Sequence, residues 1–573
     1  MSETITGSEA LLRSLLKENV DTVFGYPGGT IMPLYDAIYD HQKDLNHILT
    51  RHEQGAIHAA EGYARATGRP GVIIVTSGPG ASNLVTGIAD AYMDSTPLVI
   101  IAGQVSTRVL GSDAFQETDF IDMTNPLTKW GIQVRYAEEI PGIIARAFYI
   151  ANSGRPGPVV IDLPRDVQVG KMEWKGYEHC NFIRTYEGRP KIEKKTIEEA
   201  AGLINAAEKP LILAGRGVEV SGAEDLVKEL AEKAEIPVAS TLLGLSVLPS
   251  DHKLNKGMVG MHGNIGANIA TNKADVILGV GLRFDDRVTG DVKAYAPDAK
   301  IIHIDIDASE IGRTIKPDLS VHADASDAIK AILPLIKEAR HPEWLKLFKK
   351  YDEIETRKVK NPVLNPPDGS LMRMAEVVKK TSDLAGKNAI LVTDVGQNQM
   401  ISVRYFQFFS HRSVITSGGL GTMGFGIPAA IGAKIGCQDR TVCLFCGDGG
   451  FQMTMQELGT IMQYGVNVKI VILNNNFLGN VRQWQQLFFN RRYSQTPMLN
   501  PDFKTIADAY GIEAEDVMTR EELQGALHRM MKSNKAYILN VNIDPYEMVF
   551  PMVAPGRPID EIMLDEKEML DVD

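Results

Sequence analysis

An apolar run at 441–446 passes straight into Gly447-Asp448-Gly449, and after 24 further residues a second apolar run ends in Asn474-Asn475. Each run has the length of a buried strand, and the stretch between them, about 452–463, has the length of helix that a right-handed parallel crossover uses. Both polar clusters then emerge at the carboxyl edge of one sheet, where open α/β sheets take their ligands. An Asp carboxylate and an Asn carbonyl are hard oxygen ligands, too few to fill an octahedron. That suits a Mg²⁺ ion that also takes water and phosphate oxygens. Glycines on both sides of Asp448 let a phosphate come close to the backbone.

The same alternation of short β-branched runs and helical stretches covers most of the chain, so the fold class expected is α/β, with three doubly wound parallel-sheet domains. Strands near 22–24, 47–49, 72–75 and 98–101, with a helix through His58, Ala59, Tyr63 and Ala64, build a first domain over 1–170. Strands at 211–214, 276–280 and 301–304 and a helix over 328–338 build a second over 196–340, and a third spans 371–545. Charged, patternless stretches at 171–195 and 341–370 read as linkers, and a tail over 546–573 carries Pro551, Pro555 and Pro558. The first and third domains share a strand–helix rhythm.

Composition removes other classes. Lys+Arg 60 against Asp+Glu 72 leaves a net charge of −12, with no basic tract, so neither a nucleic-acid nor an anionic-membrane surface is expected. No apolar run reaches the ~18 residues of a membrane span, and the Met-Ser-Glu-Thr start resembles neither a signal nor a transit segment. A cytoplasmic protein is expected. Four cysteines in 573 residues make no disulfide framework, and Cys443 and Cys446 read as strand packing. His52 and His58 read as ordinary helix-start and helix-face residues.

The Gly-Asp-Gly and Asn-Asn pattern resembles the thiamine diphosphate motif. The resemblance implies Asp448, Asn475 and the main-chain carbonyl of Phe477 as Mg²⁺ ligands, with Gly447 and Gly449 beside the diphosphate. It also sets Gly396, Gln397 and Asn398, in the strand-end loop after Asp394, against the diphosphate. The family usually has His where Asn398 stands, and an amide donates a hydrogen bond but carries no charge. In the glycine-rich segment 418–426, Met423 would wedge the two cofactor rings into a bent shape, a task suited to an adaptable thioether, and Gly421 would accept from the pyrimidine amino group. This chemistry needs a Glu facing the pyrimidine. Glu53, in Arg51-His52-Glu53-Gln54, falls at a sheet edge and a helix N-terminus, where the dipole favours the ionised carboxylate.

Further segments extend the likeness over nearly the whole chain: Phe24-Gly25-Tyr26-Pro27-Gly28-Gly29, Ala114-Phe115-Gln116-Glu117, Ser153-Gly154-Arg155-Pro156-Gly157-Pro158 and Gly479-Asn480-Val481-Arg482-Gln483-Trp484. Together they resemble the catalytic subunits of the acetohydroxyacid (acetolactate) synthases. Those enzymes decarboxylate pyruvate and join the two-carbon unit to a second 2-ketoacid, pyruvate or 2-ketobutyrate, in branched-chain amino-acid synthesis. The resemblance implies Gly29, Phe115 and Gln116 near the reacting centre with Glu53, and Arg165, Arg287 and Trp484 at the substrate. Two further residues depart from the family, which commonly has Met at Asn480 and Lys at Arg165. Arg keeps the charge but not the shape.

In the second domain, Gly215-Arg216-Gly217 after a strand is a weak dinucleotide signal on its own. The segments Met258-Val259-Gly260-Met261-His262-Gly263 and Gly281-Leu282-Arg283-Phe284-Asp285-Asp286-Arg287 resemble the FAD-binding stretches of biosynthetic synthases. They imply a flavin, structural rather than redox-active in the main reaction, held by Gly215, Met261, His262 and Arg283 with Arg155, Asp305 and Asp324. The implied partners are small-molecule 2-ketoacids, further copies of the chain in a homodimer or homotetramer, and a small regulatory subunit. Three other readings compete. A pyruvate oxidase is disfavoured by Trp484 and Gln116, and a glyoxylate carboligase, which lacks the activating acid, by Glu53. A non-catalytic scaffold would not need Glu53, Asp448 and Asn475 together.

Overall fold

The computed structural model describes residues 3–572. Its first domain holds six parallel strands in the order Asn46–Leu49, Thr22–Tyr26, Gly71–Val75, Leu98–Gln104, Pro158–Pro164, Trp130–Gln133. The third domain repeats it with Val414–Ile415, Ile390–Thr393, Val442–Gly447, Lys469–Asn474, Tyr537–Asn542 and Glu513–Val517. Numbered within their own domains, both sheets run 2-1-3-4-6-5, so the common rhythm of the two segments reflects a common topology. The central sheet differs: Asn255–Met258, Val238–Ser240, Pro210–Ala214, Val276–Val280, Lys300–Asp305 and Leu319–His322 run 3-2-1-4-5-6, the dinucleotide-binding order. The inner strands of all three sheets are covered on both faces, which is why they read as near-continuous Val, Ile and Leu.

Several segments differ from their expectation. The 171–195 stretch opens as a strand, Lys171–Trp174, antiparallel to Glu3–Thr6, and Met172 and Ile5 bury on its inner face. The 341–370 connection is largely helical. In Pro342–Glu355, Trp344, Phe348 and Tyr351 fall on one face and pack the helix onto the central domain. The crossover expected over 452–463 starts earlier and is broken: Asp448–Thr454 is helical, Met455–Glu457 is a tight 3₁₀ turn, and Leu458–Tyr464 resumes the helix. At the break, the buried Glu457 carboxylate accepts from the Arg51 amide at 3.1 Å and from Thr460 Oγ1 at 2.6 Å. The tail returns over the central domain, where Ile562 and Leu564 pack on Ile265 and Ile269. Among the described residues no helix is long and apolar enough to cross a membrane.

The first and third domains meet where the helices Glu53–Thr67 and Gly426–Gly436 cross. A Cβ on Gly62 would lie 2.0 Å from the Ala429 carbonyl oxygen, and one on Gly432 would lie 1.7 Å from that of Ala59. Only glycine at both positions permits this backbone-to-backbone approach.

Candidate cofactor and active site

The carboxyl edge of the third sheet gathers the residues expected to hold the diphosphate and metal. Strand Val442–Gly447 delivers Asp448 into the first turn of the following helix. Its carboxylate is 1% exposed and accepts from Asn500 Nδ2 at 2.6 Å; burial raises its pKa to about 6, and the Asn500 hydrogen bond opposes the rise. Strand Lys469–Asn474 delivers Asn475, whose Oδ1 accepts from the Phe477 amide at 3.0 Å. Asn500 also donates to Asn474 and Asn476, both at 3.1 Å, so it ties the two strand ends together. Met423 reaches the same place, for a methyl on Gly449 would stand 3.7 Å from its ε-carbon.

The loop after Ile390–Thr393 turns through Gly396 at φ 113°, with Gly421 opposite at φ 72°. Gln397 is buried, and its Nε2 donates to Gln483 at 2.8 Å and to the Glu547 carbonyl at 3.0 Å. Asn398 donates to the Val395 carbonyl at 2.9 Å, while its Oδ1, like Asn480 Oδ1, is buried without a partner. Asn398 Nδ2 faces both glycines of the cradle, 3.9 Å from a methyl placed on Gly396 and 3.6 Å from one on Gly447.

A cavity of about 930 Å³ runs from this edge into the central domain. On one side Gly396, Gly421, Asn480 and Trp484 line it; on the other stand Arg155, Met261, His262, Arg283, Arg287, Asp305 and Asp324. Gly215 stands behind the wall, which its neighbours Arg216 and Gly217 form, because a Cβ there would meet the Gly281 carbonyl at 2.3 Å. Those two glycines end the adjacent strands at which the central sheet's order reverses, the crevice where such sheets bind. Arg155 pairs with Glu310 at 2.7 Å and Asp307 at 3.3 Å. Burial pushes Asp305 up to about 7 and His262 down to about 4. Asp324 caps the helix Ala325–Ile332, accepting from the Ser326 amide at 3.0 Å. Arg287, 58% exposed at its side chain, reaches the cavity mouth.

The remaining candidates collect at the carboxyl edge of the first sheet. Glu53 opens its helix, capped by His52 Nδ1, and its Oε2 accepts from Asn83 Nδ2 at 2.9 Å. Gln116, at φ 62°, lies against Gly78, and Phe115 is 87% exposed. Gly29 has open space where a side chain would stand. Arg165 is exposed at the start of the helix Arg165–Val169. These residues stand on the first sheet and Asp448 and Asn475 on the third, so one chain carries two separate edges, and neither Glu53 nor Asp448 lines the cavity.

Sequence reasoning missed the groups that lock the glycine-rich loop. Asp394 accepts from the amides of Val395 at 2.8 Å, Gly424 at 3.0 Å and Gly426 at 2.9 Å. From the first domain, Asp94 accepts from the amides of Gly418 at 2.8 Å and Gly419 at 2.7 Å while paired to the buried Arg65, and Asp90 accepts from Ser417 Oγ at 2.6 Å. His58 is no helix-face residue but lies fully buried here, 2.9 Å from Glu61 Oε1. Burial lowers His58 and raises Glu61 well above the usual carboxylate range; burial first, and then the neighbouring Glu61, raises Asp90 to about 8. The only sequence signal was polar residues on two otherwise apolar helices.

Comparison with known proteins bears on these edges directly. Three family descriptions match in order: the thiamine pyrophosphate enzyme N-terminal TPP binding domain over 5–123, the central domain over 197–332 and the C-terminal TPP binding domain over 394–541. A probable acetolactate synthase large subunit of Methanocaldococcus jannaschii is 45% identical, covering 97% of this chain and 95% of that protein. The chain belongs to the acetolactate synthase large-subunit family. The Lactococcus lactis large subunit is 43% identical over 100% of this chain and 99% of its own. In Escherichia coli, the isozyme 3 large subunit is 40% identical, over 99% and 100%. The three six-stranded α/β domains are thus those of the thiamine pyrophosphate enzymes, as the sequence led us to expect.

Proposed function

We infer that the protein is an acetolactate synthase, which decarboxylates pyruvate and joins the two-carbon unit to a second 2-ketoacid, pyruvate or 2-ketobutyrate. The observation that carries this reading is the single cavity on which the diphosphate-side residues Gly396 and Gly421, the flavin-side residues Arg155, Arg283, Asp305 and Asp324, and Trp484 all open. Its volume, about 930 Å³, is ample for a cofactor-sized ligand.

The residues present suit the three groups. Thiamine diphosphate would be held by Gly396, Gln397, Asn398, Gly421, Met423, Gly447 and Gly449. Two amides support this: Asn398 Nδ2, which faces Gly396 and Gly447, has a second N–H to offer a phosphate oxygen, and Asn480, whose carbonyl has no partner, offers an NH₂ when turned over. Mg²⁺ would take Asp448, Asn475 and the Phe477 carbonyl, and a divalent ion favours the ionised form of the buried Asp448. FAD would lie along Gly215, Met261, His262 and Arg283 with Arg155, Asp305 and Asp324, in a structural role. When bound, thiamine diphosphate would supply an acidic ring carbon as the nucleophile for a 2-ketoacid.

The chain's own groups prepare that step. Glu53 presents its carboxyl group at a helix N-terminus, with Asn83 fixing one oxygen, so its other oxygen can take a proton at the pyrimidine ring. The Arg287 guanidinium suits the carboxylate of a 2-ketoacid, and the Trp484 indole forms an apolar wall for its alkyl end. Because Glu53, Gly29, Phe115, Gln116 and Arg165 occupy a different edge from Asp448, the reading includes a second copy of the chain, each copy's first domain completing the other's site. The large-subunit names of the relatives support a small regulatory partner. The expected sites of action are soluble and cytoplasmic.

Incubating the purified protein with pyruvate, thiamine diphosphate, Mg²⁺ and FAD should yield acetolactate, with 2-ketobutyrate competing as acceptor. No acetolactate would overturn the reading. Stoichiometric flavin bleaching by pyruvate without air would instead make the protein an oxidase.

A further inference from the structure

The helix Gln397–Tyr405 spans the distance between the two cofactor regions. It begins at Gly396, on the diphosphate side, and its residues Gln399, Met400 and Val403 form one stripe of cavity wall at helical spacing. Nine residues make roughly 13 Å of rigid rod. At its far end stands Arg404, whose side chain is 2% exposed and paired at 2.5 Å with Glu355, itself 1% exposed. Arg404 Nη1 also donates to the carbonyl oxygens of His262 at 3.1 Å and Gly263 at 3.2 Å. Glu355 grips the same loop from its other side, accepting from Asn264 Nδ2 at 2.8 Å and from the Ile265 amide at 2.7 Å. Lys360 lies 3.3 Å from Glu355 and completes the group.

The clamped loop is the one that carries Met261 and His262 into the cavity. We propose that Arg404 and Glu355 are a positioning pair that couples the flavin site to the thiamine diphosphate site. The inference rests on the cofactor reading above. A guanidinium this deeply buried is tolerated only while its acceptors stay in place, and stranding it is costly. The helix and the 261–265 loop therefore move together or not at all. A flavin that orders the loop fixes the helix, and the helix start at Gly396 then stands ready for a diphosphate. Linkage makes the effect reciprocal: each cofactor tightens the other by the same factor.

The test uses the full-length protein stripped of cofactors. Thiamine diphosphate affinity, with Mg²⁺ present, is measured by calorimetry without FAD and at saturating FAD, and FAD affinity by flavin fluorescence in the converse pair. In the unaltered protein each cofactor should tighten the other by about five-fold or more, by equal factors. Arg404→Met should bring both factors below about two-fold, and Arg404→Lys, which keeps a charge for Glu355, should restore part of the coupling. A purely structural role would lower the melting temperature and weaken both cofactors while leaving the factors intact, and that outcome overturns the proposal. Should Arg404→Met fail to fold, Glu355→Gln, nearly isosteric, is read by the same ratio. Unaltered protein that binds both cofactors without coupling defeats this inference alone. Failure to bind FAD at all defeats the cofactor reading beneath it.

Discussion

Trp484 stands between two hollows. It lines the large cavity beside Asn480 and also an apolar recess with Val481, Phe489 and Arg492. A core anchor would be enclosed, and this indole is not, being partly exposed. Trp484→Leu should therefore change stability by less than about 1 kcal/mol while moving the preference for 2-ketobutyrate over pyruvate towards unity. The two acceptors differ by one methylene, from which an apolar pocket extracts ~1–3 kcal/mol, or about 10–200-fold. Competition assays beside a melting curve check this, and an unchanged product ratio would sink it. Glu53, Asp448 and Asn475 were legible in the sequence because the expected chemistry calls for those residue types at strand ends or helix starts, whereas Trp484, in mid-helix, was legible only through the resemblance. Asp94 was not. Its partners are backbone amides 324 and 325 residues away, and amides carry no side-chain signature.

Among elements, strands were the most legible, since burial on both faces leaves few residue choices. Helix boundaries were less so: the helix at Asp448 starts at the polar cluster itself, and its break at Met455–Glu457 follows a hydrogen bond to Arg51 that crosses between domains. The helix Pro342–Glu355 was hidden by its lysines and proline, although Trp344, Phe348 and Tyr351 already carried its spacing. The glycine crossing was equally silent, because glycine inside a helix usually signals only weakness. Here a side chain at Gly62 would strike main chain, which cannot rotate away. Gly62→Val is expected to destabilise the junction by about 3 kcal/mol or more, beyond ordinary overpacking, read as a lower urea midpoint. A midpoint unchanged by the substitution would show that the helices can part.

For the molecule as a whole, two behaviours follow. Glu547 is 3% exposed, its Oε1 lacks a partner, and burial pushes its pKa up to about 8. In the unfolded chain a Glu ionises near ~4.3. Between those values the folded state holds a proton that the unfolded state has lost, so this group subtracts stability as pH rises and subtracts no more above about 8. Glu547→Gln should flatten that decline in urea melts compared at about pH 5 and about pH 8; equal slopes would contradict it. The second behaviour comes from the paired edges. Glu53→Gln and Asp448→Ala should each be inactive alone, yet unfolding and refolding the two together should return about a quarter of the original activity, since half the dimers are mixed and each carries one intact site. No recovery would mean that both edges serve the same site within one chain. That sharing demands a fixed geometry, and the crossing in which Gly62 meets Ala429 and Gly432 meets Ala59 supplies it. The gap there is one main-chain thickness, a gauge length that no substitution elsewhere can trim or stretch. A side chain such as Trp484 can be exchanged without moving either edge, whereas any side chain at Gly62 or Gly432 would push one edge away from the other.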